Sequence, residues 1–96
     1  MFSNMAELLV DERHALDART FVEAVVWQLP RPVRGSAHSF KYRLVLVIDE
    51  VCVLRYDNEA GKGDHRHLHD KVGPYSFVDL DTLMTDFWRD VEEWRR

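Results

Sequence analysis

Three histidines stand at every second position, His65, His67 and His69, within the run Tyr56-Asp57-Asn58-Glu59-Ala60-Gly61-Lys62-Gly63-Asp64-His65-Arg66-His67-Leu68-His69-Asp70. Histidine's ordinary pKa lies nearest neutrality, so it can take or give a proton, or bind a metal as neutral imidazole. Lys62 stands between two glycines, which let the backbone approach a ligand closely. Acid, base and cation are gathered within a few residues. The stretch reads as a site.

Two chemistries fit it. If residues 65–69 are extended, His65, His67 and His69 point to one face and Arg66 and Leu68 to the other. Neutral imidazoles of all three could then bind a divalent metal, with Asp57 or Asp64 as a further ligand. Alternatively, His65 and His67 form an acid/base pair for RNA. One takes the proton of a ribose 2′-hydroxyl, and the other protonates the leaving 5′-oxygen. Lys62 and Arg66 stabilise the charge on the phosphate, and Asp57 or Asp64 orients an imidazole. Arg66, between two histidines, favours this second chemistry, because a cation raises the cost of binding a metal. It needs no cofactor. Lys41, Arg43 and Tyr56 would help bind the RNA strand. His14 and His38 read as surface residues. A third reading makes the whole stretch a non-catalytic loop for a protein partner.

Two hairpins must position these residues. Ala6–Asp11 and Thr20–Trp27 are apolar or β-branched, with Asp17-Ala18-Arg19 between them. Leu29 to Ser36 carries two prolines and a glycine, so it is a basic, irregular loop. Phe40–Ile48 and Val51–Tyr56 form the second hairpin around Asp49-Glu50. A two-residue turn there pairs Leu46 with Val53, Leu44 with Arg55 and Arg43 with Tyr56. Val72-Gly73-Pro74 reads as a turn and Tyr75–Phe77 as an extended bridge.

Residues 80–95 form an amphipathic helix, with Leu80, Leu83, Met84, Phe87, Trp88, Val91 and Trp94 at helical spacing. Asp79 is its N-cap. The expected fold is α+β: one domain over residues 1–96, an antiparallel sheet of about four strands packed on the C-terminal helix. Leu44, Leu46, Val53 and Leu54 should meet Leu83, Phe87 and Val91. Trp88 and Trp94 leave an aromatic surplus for a partner, a second copy of the chain included.

Composition narrows the class. Ninety-six residues with 46% hydrophobic content suit one globular domain. No apolar run nears the ~20 residues of a membrane span. Met1-Phe2-Ser3-Asn4 is no secretory signal. Cys52, the single cysteine, reads as a small core residue. The expected compartment is the cytoplasm. The net charge of −4 is uneven: residues 31–71 hold eight Lys/Arg against six Asp/Glu, and Pro30 to Leu44 contains no acid. That local balance suits a polyanion.

The block Leu54-Arg55-Tyr56-Asp57-Asn58-x-x-Gly61-Lys62-Gly63-Asp64-His65-Arg66-His67, with Pro74-Tyr75-x-Phe77 and a helix ending in Trp94-Arg95, resembles the TumE-type family of toxin–antitoxin systems. The likeness spans nearly the whole chain, including the opening Leu-Leu-Val-Asp-Glu. It implies a small bacterial toxin encoded beside a helix-turn-helix antitoxin that neutralises it. Such toxins include ribonucleases, transferases and others, so the family does not itself name the reaction.

Overall fold

Asp17 closes the first hairpin, its carboxylate accepting the backbone N–H of Arg19 at 2.8 Å. The strands on either side run longer than the apolar pattern alone marks: β1 spans Glu7–Asp17 and β2 Thr20–Gln28. A computed structural model describes residues 6–95. Met1-Phe2-Ser3-Asn4, which reads as no secretory signal, lies outside them, as do Met5 and Arg96.

Loop 29–39 has no regular structure, as its prolines require, and a bond from Leu29 N–H to Ser39 C=O closes its base at 2.7 Å. The second hairpin follows as β3 (Phe40–Ile48) and β4 (Val51–Glu59). Two more strands extend the sheet, β5 (Gly63–Leu68) and β6 (Lys71–Pro74). The sheet therefore has six antiparallel strands in sequential order, not about four. The histidine run is a strand, and Lys71–Pro74 pairs with it rather than forming a turn. The reversal falls at His69, whose φ of 58° takes it out of the strand.

The turn of the second hairpin lies where expected, with Ile48 opposite Val51 and Val47 opposite Cys52. Asp49 and Glu50 both have positive φ, 50° and 68°. This is the primed geometry that hairpins favour and that neither residue prefers. The turn is held from outside: Asp49 N–H donates to Arg19 C=O at 2.9 Å, and the Arg19 guanidinium pairs with the Asp49 carboxylate.

Beyond the turn the expected register fails by one residue. Leu46 lies opposite Leu54, Leu44 opposite Tyr56 and Arg43 opposite Asp57. Val53 is the extra residue of a β-bulge, and such an insertion exchanges the faces of everything after it. Tyr56 therefore turns into the core at 1% exposure. Arg55 and Asp57 come out on the opposite face, beside Val45 and Arg43.

The helix α1 (Leu80–Trp94) covers one face of the sheet, and Asp79 caps it by accepting Thr82 N–H at 2.7 Å. Leu83, Phe87 and Val91 are buried on Leu44, Leu46, Val53, Leu54 and the β2 residues Val22, Ala24 and Val26. The Phe87 ring meets Tyr56 edge-on, with centroids 5.7 Å apart. Trp88 and Trp94 are half-buried against the same core. Cys52 is exposed rather than packed in the core, because it lies beside the turn and ahead of the bulge. No helix among the described residues is long and apolar enough to cross a membrane.

Candidate functional site

The second face of the sheet has no helix over it among the described residues, and it bears His65, His67 and Asp57. β4 pairs with β5 so that Asp57 lies opposite His65 and Arg55 opposite His67. Cross-strand partners share a face. With Glu59, Lys62 and Val72 these four residues line a concavity of about 170 Å³.

Asp57 is almost completely buried in this open face and has two cationic or basic neighbours. One carboxylate oxygen is 3.2 Å from Arg55 Nε and the other 3.7 Å from His67 Nε2. Arg55 also reaches His67 directly, its Nη2 lying 3.2 and 3.3 Å from the two ring nitrogens. A guanidinium can only donate, so it favours a ring nitrogen without a proton. The His67 pKa accordingly lies below the ordinary value. Burial is the main cause and the Arg55 charge the next, while Asp57 pulls the other way.

The His65 ring lies 6.4 Å from that of His67, centroid to centroid. Its Nδ1 is 3.1 Å from the carbonyl of Gly63, which suits a donated proton there and leaves Nε2 free. Lys62 is exposed at the rim, loosely paired with Glu59 at 3.4 Å.

The Gly-Lys-Gly turn that carries Lys62 is packed against loop 29–39. Gly61 N–H donates to Arg34 C=O, and a Cβ on Gly35 would fall 2.9 Å from Gly63 N. Gly35, Gly61 and Gly63 all have positive φ (97°, 83° and 78°). Only glycine allows both this conformation and this approach.

A family model for toxin TumE matches residues 5–95. The chain belongs to the toxin TumE family. Comparison with curated proteins and with solved structures gives no match. A toxin of this kind has an antitoxin as its partner.

The fold of the toxin sorts the residues singled out from sequence. His65, His67, Asp57 and Lys62 are brought together, and Lys41 and Arg43 share their face across β3. Arg66 and Asp64 are on the opposite, helix-covered side. Arg66 Nε is 2.9 Å from Asp90 of α1, and the Tyr56 hydroxyl donates to the same carboxylate. Asp64 accepts from Tyr42, Ser36 and His38 at 2.6–2.7 Å and makes no contact with the His65 or His67 ring. These contacts make Asp64 the clamp that fastens loop 29–39 to β5.

His69 departs furthest from expectation. Its positive φ takes it out of the strand that carries His65 and His67, and its ring lies 4.6 Å from that of Trp94 on the helix. The three-histidine metal set is thereby broken, and no cluster of metal-ligating side chains occurs among the described residues. His38 is no surface residue: it stacks on Phe77 at 3.7 Å with both ring nitrogens occupied.

The structure adds Arg55 and Glu59 to the site; Arg55 reads from sequence as a strand residue paired with Leu44, not as a site residue. The Gly61-Lys62-Gly63 segment was the available signal. Read as a hairpin turn, it places Glu59 opposite Gly63, and hence Arg55 opposite His67.

Proposed function

We propose that this toxin cleaves RNA without a metal, using His67 as general base and His65 as general acid. The carrying observation is the pair of adjacent imidazoles on an open sheet face, one with its pKa lowered by burial and Arg55. His67 takes the proton of a ribose 2′-hydroxyl, and the freed oxygen attacks the adjacent phosphorus. The bond from phosphorus to the 5′-oxygen breaks, and His65 delivers the proton that this oxygen needs. The products are a 2′,3′-cyclic phosphate and a 5′-hydroxyl. Arg55 and Lys62 face the phosphate and stabilise its growing charge. Asp57 orients His67 and offsets the charge it acquires.

Arg66 and Tyr56 support the site from below, through Asp90, rather than by touching RNA. The cytoplasm is where RNA and a helix-turn-helix antitoxin, the expected neighbour gene's product, would both meet this chain.

The test is incubation of the purified toxin with labelled single-stranded RNA in excess EDTA. Cleavage should persist and leave cyclic-phosphate ends, and His65→Ala or His67→Ala should each slow it ~10²–10⁴-fold while the fold survives. If EDTA abolishes cutting and zinc restores it, a metal mechanism replaces this one. If both variants remain fully toxic to a bacterium, the segment is a binding loop and not a catalytic one.

A further inference from the structure

Trp27 lies on the same open face as His65 and His67, two strands beyond β4, and is 38% exposed. Leu8, 43% exposed, lies opposite it on β1, so the two form one uncovered apolar patch, the kind of surface that marks a binding site. The neighbour of Trp27 across the β2–β3 pair is Lys41, and the next open-face pair along is Val25 with Arg43. Arg43 has no carboxylate within ion-pairing distance among the described residues, and Lys41 is anchored to the Asn58 carbonyl at 2.6 Å. From Arg43 the same row continues to Asp57 and His65. One residue past Trp27 the strand ends, and the acid-free loop begins with Arg31 and Arg34.

The order across this face is therefore an aromatic surface on β2, the cations Lys41 and Arg43 on β3, Arg55 with the carboxylates Asp57 and Glu59 on β4, and the imidazole pair on β5. Neighbouring strands are ~4.8 Å apart, so β2 and β5 are separated by roughly 14 Å. A short oligonucleotide can span that distance. An open sheet with exposed aromatic and basic residues binds unpaired bases by stacking, because only unpaired bases offer both faces. A duplex would keep its bases stacked on each other.

We infer that Trp27 is a base-stacking subsite for single-stranded RNA, with Lys41 and Arg43 holding the phosphates between it and the cleavage pair. The inference rests on the RNA reading of the His65–His67 site, but it concerns binding and can be tested apart from cleavage.

The experiment uses a single-stranded RNA oligonucleotide made uncleavable by 2′-O-methyl groups, together with the duplex of the same sequence. The toxin should bind the single strand more tightly than the duplex. Trp27→Ala should weaken single-strand binding roughly tenfold or more, and Trp27→Phe should restore most of it. On cleavable RNA, Trp27→Ala should raise KM and leave kcat near the original. Equal affinity for duplex and single strand, or a Trp27→Ala variant that binds as tightly as the original, overturns the subsite. So does a Trp27→Ala variant that loses only antitoxin binding, which would make this face a protein interface. Tight, Trp27-dependent binding without any cutting would sink the ribonuclease reading and leave the subsite standing.

Discussion

The Arg55 guanidinium and the His67 imidazole are in direct contact across the β4–β5 pair, at 3.2 and 3.3 Å from one nitrogen to the two ring nitrogens. Two groups that both carry positive charge when protonated are thus pressed together, with Asp57 beneath them. Burial first and the Arg55 charge second lower the His67 pKa, which favours the form that can accept a proton.

The pH dependence of activity should show this directly. With a base whose pKa is depressed, activity rises with pH along a limb centred below histidine's ordinary 6.5, the rising side of a bell whose falling side belongs to the general acid. Removing the cation takes away the second of the two main lowering causes and leaves the Asp57 pull in place, so in Arg55→Gln the limb should move to higher pH. A pH–rate profile of both proteins at saturating RNA checks it. An unmoved limb would mean that Arg55 acts on the phosphate alone.

Lys62 and Arg66 should separate cleanly, although both are cations of the same segment. Lys62→Ala removes a charge from the rim of the open face, so binding should weaken and its salt dependence become shallower. Arg66→Met leaves the Asp90 carboxylate without its ion pair and should cost about 1–2 kcal/mol of stability. Its salt dependence of RNA binding should match the original. Denaturant titration and binding at several salt concentrations test both variants.

Asp64 should govern acid stability. Burial works to raise its pKa, but hydrogen bonds from Tyr42, Ser36 and His38 outweigh that and hold it below the ordinary 3.8. A carboxylate with a depressed folded pKa contributes stability that is complete above its unfolded value. That contribution is lost as pH falls through the folded value. The chain should therefore lose stability more steeply below about pH 4 than Asp64→Asn does. Thermal melts between neutral and strongly acidic pH measure the difference.

Phe87 is fully buried between helix and sheet. Phe87→Ala should cost ~3–5 kcal/mol in a denaturant titration. A loss within about half a kcal/mol, as surface substitutions give, would mean that the helix does not pack on the sheet in solution.

Much of this fold was legible in the chain because it depends on neighbours in sequence. Period-two alternation marked β2 and β3, helical spacing marked α1, and Asp79 marked its start. Alternation also placed His65 and His67 on one face. Local pattern stops at His69, where a positive φ within a two-residue turn swings the third imidazole towards Trp94. Nothing in the alternation of His65, His67 and His69 signals that break. Strand β6 is hidden for a different reason: Val72-Gly73-Pro74 carries a glycine and a proline, so a short edge strand reads as a turn.

Sequence by itself determined the antiparallel hairpins, the amphipathic helix, the adjacent imidazoles and, through the Tyr-Asp-Asn…Gly-Lys-Gly-Asp-His-Arg-His block, the family. These rest on spacing and side-chain type, which are properties of short segments. Tertiary structure alone decided which faces the functional groups occupy. The bulge at Val53 sends Tyr56 into the core and brings Arg55 and Asp57 out beside His67, because one inserted residue reverses every side chain after it. Packing of α1 on one face then leaves the other open, and the pinning of loop 29–39 by Asp64 brings His38, distant in sequence, to the base of the Gly-Lys-Gly turn. Those outcomes depend on burial summed over the whole sheet, which no local stretch of the chain contains.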